Sequence, residues 1–329
     1  MSTPKNPPAA TSSTAPEFTN ILMATDFSVA SRAALLEAIR ITSKCGARLT
    51  LLHVFEYTSP VTPDTGVQFT NVEPLREAAQ KKLLDAAEQA QQAGVPCSSQ
   101  MTDGYPPVEI VEVARACDMD LVVLGTNAFH GFERLVFGST AEAVLRGAPC
   151  PVITIGPHAR SSNSQSHSDT DPILFATDFH RPTANAIGYA AAFCRTIAAP
   201  LHCLHVLPRT LEDNSQNDII SRIMTEALQR VVAEGGVPVD APVYSVIYGS
   251  EVSNAVVDYA REHHARLVVL GVMHTSLVAS HIPAHIAYRV ITEAPCPVLT
   301  MCFRSHPLQS VTDTLPQTPT YPAMPTKHP

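Results

Sequence analysis

Short runs of aliphatic residues alternate with longer segments of helical periodicity along most of the chain. The runs NILMAT, RLTLLHV, DLVVLG and PVITI are apolar at most positions, which is typical of strands buried on both faces of a sheet. Between them, residues 31–45, 73–94 and 108–118 show the spacing of helices that bury one side. Strands that alternate with helices predict an α/β fold with a parallel sheet covered on both faces.

The same order of elements occurs twice in the sequence. ILMATDF (21–27) returns as ILFATDF (173–179), and LVVLG (121–125) returns unchanged at 267–271. LTLLHV and APCPVIT return in the same order as LHCLHV and APCPVLT. Four blocks repeated in one order indicate two homologous domains.

The segments around these blocks have a different composition. We predict that the domains span 19–156 and 172–303 and that a Ser-rich linker, 157–171, joins them. We expect residues 1–18 to form a disordered tail and residues 304–329 to form a Pro-rich tail.

Composition excludes several classes of protein. The sequence has 22 Lys and Arg residues and 30 Asp and Glu residues, which gives a net charge of −8. This negative charge disfavours a nucleic-acid partner. The sequence contains no apolar run of the roughly 18–20 residues that a bilayer crossing needs. The first eighteen residues lack the apolar stretch of a signal peptide. We therefore expect a cytoplasmic protein with no membrane partner.

Two residues that follow strands are candidates for ligand contact. Parallel α/β sheets bind ligands beyond the carboxyl ends of their strands, where the strand order reverses. Asp26 follows the first strand, and its carboxylate can accept hydrogen bonds from ribose hydroxyls or a base amino group. An Asx-turn or a helix N-cap accounts for Asp26 equally well. Val54, after the second strand, offers an apolar wall to a planar base or packs in the core.

The loop after the fourth strand, GTNAFHGFERLVFGST (125–140), is a candidate phosphate site. Gly125 allows backbone to approach a ligand closely, and Gly138 does so again where a helix begins. Gly138, Ser139 and Thr140 present backbone N–H groups and two hydroxyls at a helix N-terminus, which favours an anion. Ser139 and Glu142 also fit an S-x-x-E capping box, which would leave other N–H groups free.

These residues carry a resemblance to a known family. The ATDF strand end, the LLHV strand, the glycine-containing loop after VVLG and the PCPV strand resemble the universal stress protein (UspA-like) family in its tandem two-domain form. The resemblance implies two doubly wound parallel five-stranded sheets of the adenine-nucleotide-alpha-hydrolase-like type, with strand order 3-2-1-4-5. It also implies that the two domains pair through their final strands and helices about a pseudo-twofold axis.

Some members of this family bind ATP, and the resemblance implies such a site in the first domain. The implied contacts to adenine, ribose and phosphates are Ala24, Asp26, Val54, Gly125, Asn127, Ala128, Gly138, Ser139 and Thr140. Ala128 departs from the family pattern, which has a second glycine there, and its Cβ obstructs the loop if that position needs a positive φ. The implied ligand is ATP, or AMP or ADP, with or without Mg²⁺.

The second domain departs further from the family motif. In its loop, His274 and Ala284 replace glycines and His285 replaces the serine, although Asp178 is retained. We predict that this domain binds no ATP and serves to pair with the first. His281 and His285 have the spacing of a two-histidine metal pair, but no third ligand accompanies them, so we predict no metal site.

The sequence therefore predicts an adenine-nucleotide-binding regulatory module of the stress response, with its ATP site in the first domain only. Two alternatives stay open, a nucleotide-free stress-related interaction protein and a slow ATP hydrolase. The hydrolase is the less favoured hypothesis, because the sequence contains no P-loop and no prominent pair of carboxylates. The expected partners are the second domain, a regulatory protein that the sequence does not identify, and a second copy of the chain.

Overall fold

The computed structural model describes residues 17–56, 72–126, 129–131, 134–136, 138–159, 170–180, 184–209, 217–236, 238–274 and 283–304. The first half contains β1 (Asn20–Ala24), α1 (Val29–Cys45), β2 (Arg48–Phe55), α2 (Glu73–Gln92), β3 (Cys97–Asp103), α3 (Pro106–Ala116), β4 (Leu121–Gly125), β5 (Phe129–Gly131), β6 (Arg134–Val136), α4 (Ser139–Gly147) and β7 (Val152–Ile155). The second half contains β8 (Ile173–Ala176), α5 (Ile187–Ile197), β9 (Leu201–Pro208), α6 (Asn217–Glu234), β10 (Val243–Gly249), α7 (Val252–Glu262), β11 (Leu267–His274), α8 (Pro283–Glu293) and β12 (Val298–Arg304). These elements agree with the predicted α/β class.

Local sequence explains where the first helix begins and ends. Ser28 caps α1, because its hydroxyl accepts a hydrogen bond of 3.2 Å from the amide of Ser31. Gly46 ends the helix in the left-handed conformation, φ 65°, with its amide bonded to the carbonyl of Thr42. One segment differs from expectation, since the loop after β4 contains a short antiparallel hairpin, β5–β6.

Ten strands form one continuous sheet in the order β10-β9-β8-β11-β12-β7-β4-β1-β2-β3. Within the first half this gives the implied order 3-2-1-4-5, and the second half repeats it. Ala24 in β1 aligns with Leu52 of β2 on one side and with Leu124 of β4 on the other. The strand order therefore reverses between β1 and β4, as the resemblance implies.

The two halves join through the antiparallel pair β7 and β12. Ile153 aligns with Leu299, and the hydroxyl of Thr154 donates to the carbonyl of Val298 at 3.2 Å. All other pairs within the ten-stranded sheet are parallel. The implied pairing through final strands is present, and it makes one mixed sheet from the two five-stranded sheets.

The hydrophobic core is divided by the faces of this sheet rather than by the two halves. One layer contains buried residues of α1, α2, α5 and α6, and the other contains residues of α3, α4, α7 and α8. Each layer includes strand residues from both halves. Arg146 of α4 also donates to the hydroxyl of Tyr288 in α8 at 3.2 Å across the junction. Apolar burial is therefore shared by the two repeats.

Phe18 corrects the predicted extent of the N-terminal tail. It is buried, and its ring lies 4.6 Å from that of Phe193 in α5, in the other half of the chain. The next residue is also held, because the amide and hydroxyl of Thr19 both donate to a carboxylate oxygen of Asp120 at 2.7 Å. Phe18 therefore belongs to the core rather than to a disordered tail, while residues 1–16 lie outside the described residues.

Parts of the other predicted non-domain segments also lie outside the described residues. These are residues 160–169 of the linker and residues 305–329 of the Pro-rich tail. None of the helices in the described part of the chain has the length and hydropathy that a bilayer crossing requires.

We expect Phe18→Ala to lower the free energy of unfolding by about 3 kcal/mol, because it leaves a cavity against Phe193 where the two halves meet. Phe18→Leu keeps an apolar side chain of similar volume and should cost about 1 kcal/mol. Urea denaturation followed by circular dichroism measures both changes. Equal stability of Phe18→Ala and the wild-type protein would contradict the anchoring role of this residue.

Candidate functional site

The carboxyl ends of β1, β2 and β4 meet at one edge of the sheet, and we call this place the first crevice. It comprises Ala24, Asp26, Val54, Gly125 and the N-terminus of α4 from Gly138. Ala24 and Val54 are each 8% exposed and belong to the same hydrophobic layer as Ala141 in the first turn of α4. The fold therefore brings the predicted apolar wall and the predicted helix N-terminus to the same face of the sheet.

Asp26 forms an Asx-turn, which was one of the alternatives that its sequence position left open. Its Oδ1 accepts a 2.9 Å hydrogen bond from the amide of Ser28, and Ser28 rather than Asp26 caps α1. Burial raises the pKa of the Asp26 carboxyl, but hydrogen bonds from Ser28 and Ser31 outweigh it and leave the pKa below its usual value. Although its carboxyl is partly buried, Asp26 as a residue is exposed, and the carboxyl is charged at neutral pH.

The neighbours of Asp26 form a corner that is built twice. Thr25 accepts a 3.0 Å hydrogen bond from the amide of Phe27, which has a left-handed φ of 61°. The ring of Phe27 lies 4.5 Å from His53, whose Nδ1 donates to the carbonyl of Thr25 at 2.8 Å. The second half repeats every contact with three matching residues, Thr177, Phe179 and His205. His53 and His205 lie at matching positions of the repeated segments LTLLHV and LHCLHV.

Gly125 packs closely against the first turn of α1. A Cβ at this position would lie against the backbone of α1, 2.6 Å from the amide nitrogen of Ser31 and closer still to the carbonyl group of Ala30. The approach of α1 to β4 therefore requires glycine here, and the predicted contact of Gly125 with a ligand stays a prediction. Gly125 contributes to the crevice by setting the position of the first turn of α1.

The predicted capping box of Ser139 and Glu142 at the start of α4 is wrong. Gly138 is the N-cap, and in the described part of the chain no side chain caps the helix. Ser139 is the first helical residue, and Glu142 instead pairs with Arg146 at 2.8 Å. Since the first bond within this helix joins the amide of Glu142 to the carbonyl of Gly138, the amides of the first turn point outward.

Gly138 leaves open the space in front of this helix. Its φ of −60° is accessible to any residue, so glycine is not required by backbone conformation. A Cβ built there meets no atom of the described residues within 4 Å. Ser139 is exposed and Thr140 is half-buried, and both belong to the first turn of α4. This helix start has the donors and the clearance that an anion needs.

Two of the predicted contacts, Asn127 and Ala128, lie outside the described residues. His281 lies outside them as well, and the side chains of His274 and His285 are not described. Among the side chains that the structure does describe, no group of three histidine, cysteine, aspartate or glutamate residues is placed to hold a metal ion.

The corresponding edge of the second half, where β8, β9 and β11 end, is the second crevice. It contains a cavity of about 160 Å³ that Ala176, Asp178, Val206 and Gly271 help to line. Asp178 is held differently from Asp26, because His180 contacts both of its oxygens. The amide of His180 donates to Oδ1 at 3.1 Å, and its Nδ1 lies 3.2 Å from Oδ2.

Comparison with known proteins finds the same family in both halves. The model of the universal stress protein family matches residues 17–156 and again residues 170–301. A universal stress protein of Methanocaldococcus jannaschii is 34% identical over 139 residues, which are 42% of this chain and 82% of that protein. The universal stress protein A homolog 1 of Coxiella burnetii is 32% identical over 144 residues, 42% of this chain and 96% of that protein.

A solved structure shares the fold over most of the length. The crystal structure of a universal stress protein from Archaeoglobus fulgidus aligns with 85% of this chain and 97% of its own, with a TM-score of 0.64 and 22% sequence identity. The match spans both repeats.

We expect Gly125→Ala to lower the free energy of unfolding by about 1–3 kcal/mol, because the added methyl group displaces the first turn of α1. Gly138→Ala is the matched control and should cost less than about 1 kcal/mol, since its methyl group enters open space. Urea denaturation of the two variants measures the difference. If Gly125→Ala proves as stable as Gly138→Ala, the contact with α1 does not constrain this position.

Proposed function

The chain belongs to the universal stress protein family, and on this basis we propose that the first crevice binds an adenine nucleotide, with ATP as the main ligand. We further propose that occupancy of this site regulates a partner protein in the stress response. The observation that carries the proposal is the N-terminus of α4, which no described side chain caps, on the same face of the sheet as a buried apolar wall and at the edge where exposed Asp26 follows β1.

Each part of a nucleotide has a matching surface in the first crevice. Ala24 and Val54 provide an apolar wall for a planar base. Asp26 is an acceptor for ribose hydroxyls, and its lowered pKa keeps it charged at pH 7. Gly138, Ser139 and Thr140 provide backbone amides and hydroxyls for the phosphates at the positive end of the α4 dipole. Asn127 and Ala128 remain predicted contacts from the loop after β4.

Binding is favoured over hydrolysis by the state of Asp26. A hydrolase needs a residue that positions or deprotonates the attacking water, and a general base works best when its pKa lies near the operating pH. The pKa of Asp26 lies below the usual value of an aspartate, so this carboxylate is a weak base at neutral pH. We therefore propose a regulatory site rather than a catalytic one.

We propose that the second crevice does not bind ATP. At the positions of the second half that match Gly138 and Ser139, the sequence has Ala284 and His285. In addition, both oxygens of Asp178 are in contact with His180, so a ribose would have to compete with a local partner. The proposed stoichiometry is one nucleotide per chain.

We expect ATP to bind the full-length protein at one site and to raise its Tm. At a free concentration of about 100 times Kd, binding should add about 2.7 kcal/mol to the free energy of unfolding. Isothermal titration calorimetry gives the stoichiometry and Kd, and a thermal shift series with ATP, ADP and AMP, each with and without Mg²⁺, ranks the ligands.

Gly138→Asp should abolish this binding without unfolding the protein. A carboxylate at Gly138 enters the space in front of α4 and repels phosphate, yet aspartate is a favourable N-cap that should stabilise the helix. Ala284→Asp, at the matching position of the second half, is the control and should leave ATP binding unchanged. Unchanged binding by Gly138→Asp would refute the phosphate site. The absence of any ATP binding to the wild-type protein would favour a nucleotide-free interaction protein.

A further inference from the structure

The cavity of the second crevice differs in chemistry from the first crevice, although the two arise from the same repeat. It lies where β8, β9 and β11 end, against the first turns of α7 and α8, and its volume is about 160 Å³. Val256 and Ala287 are 2% and 3% exposed and form its inner wall. Val252, 39% exposed, stands at its mouth. The site is therefore a partly enclosed apolar recess that is open at one side.

Aliphatic side chains of the second half replace two threonines of the first half, of which Thr126 is buried and donates its hydroxyl to the carbonyl of Ile155 at 3.2 Å. The repeat offset of 146 positions matches Thr126 with Val272 and Thr140 with Ile286. Both Val272 and Ile286 line the cavity. Because threonine and valine have nearly the same shape, the first change removes a hydrogen-bonding group while it keeps the volume. The second places an additional apolar group at the start of α8.

The carboxylate at the rim does not offset this loss of polar groups. Asp178 contacts His180 through both oxygens, through the amide at 3.1 Å and through Nδ1 at 3.2 Å, so each oxygen already has a local contact. His205 uses its Nδ1 on the carbonyl of Thr177 at 2.9 Å. Burial lowers the pKa of His205, so its ring is neutral at pH 7 and adds no cation to attract a phosphate. The recess is therefore suited to an uncharged ligand.

The volume limits the size of such a ligand. An apolar cavity of about 150 Å³ in another protein binds a single aromatic ring, because burial of the ring removes apolar surface from water. A recess of about 160 Å³ that opens on one side has room for one ring, or for two fused rings with one edge at the mouth. Ligand pockets at the switch point of an α/β sheet are lined by apolar side chains with few polar groups, as this one is.

We propose that the second crevice binds a small, uncharged aromatic compound of one or two fused rings, independently of the nucleotide in the first crevice. The two halves of the molecule then recognise different ligands with one architecture. The second half keeps the apolar wall of the fold and has Val272 and Ile286 beside it, where the first half has two threonines.

Indole is the probe for this proposal, because it is uncharged, planar and composed of two fused rings. We expect isothermal titration calorimetry with the full-length protein to show one indole per chain, with a negative heat-capacity change from apolar burial. Saturating ATP should leave the Kd for indole unchanged. The absence of saturable binding, or displacement of indole by ATP, would overturn the proposal.

Matched variants of the two halves assign the site. Ile286→Thr should weaken indole binding by about tenfold, because it restores a hydroxyl group to the apolar wall. Thr140→Ile makes the reverse exchange in the first half and should leave indole binding unchanged. Ile286 is half-buried in the first turn of α8, and circular dichroism verifies that both variants are folded.

A second variant tests the site by its volume. Ala287→Leu fills the recess from its inner wall and should abolish indole binding, whereas Ala141→Leu at the matching position of the first half should not. Loss of indole binding in Thr140→Ile or Ala141→Leu, with binding retained in the second-half variants, would place indole in the first half and overturn the proposal.

Discussion

The antiparallel pair β7–β12 is the interaction on which the rest of the structure depends. If the sheet had five strands and ended at β7, the apolar strand Val152–Ile155 would be an unpaired edge. Such edges promote association with other chains. The second repeat supplies β12 to cover that edge, and the first repeat covers β12 in return. Duplication within one chain thereby joins the two halves covalently and satisfies the backbone groups at their inner edges.

This junction also explains why the hydrophobic layers cross from one half to the other. Once the strands are continuous, helices on each face pack over one surface, and the residues that each half buries depend on the other half. Gly156 follows β7 and packs so closely on α8 that a Cβ there would meet the carbonyl of Ile291. Phe18 makes a comparable contact on the opposite face of the sheet. The repeats are thus parts of one packed body, although each is a complete copy of the motif.

Much of the fold was predictable because its signals are local and occur twice. The apolar runs and helical stripes gave the element order, and the resemblance added the strand order that places the switch point between β1 and β4. Phe18 was misassigned because its neighbours 1–17 are polar or Pro-rich, while its partner, Phe193, lies far along the chain. Which glycine is required by the packing of a helix also depends on tertiary contacts. Gly125 packs on α1, whereas a Cβ at Gly138 would meet no atom of the described residues, although both occur in one loop motif.

The candidate site was predictable in composition and less so in its local geometry. Asp26 lies at the expected strand end. The sequence alone did not decide between a turn with its neighbours and a free carboxylate, and the structure shows the turn with Ser28. The capping box was wrong because the N-cap lies one residue earlier, at Gly138, which makes Ser139 the first helical residue. The recess in the second half was not predicted from the sequence. The glycines that this half lacks do not reveal it, because the apolar lining from Val272 and Ile286 depends on side chains that are distant in the sequence.

The direction of the strands has a consequence for how the molecule meets its surroundings. Because β7 and β12 run in opposite directions, all strands of one repeat end where those of the other begin. The first and second crevices therefore open at opposite edges of the sheet, far from each other. A molecule bound in one cannot touch a molecule bound in the other, and a protein that covers one opening leaves the other accessible. Any communication between the two has to pass through the contacts that join the halves, which are the β7–β12 pair and the helices packed on either side of it.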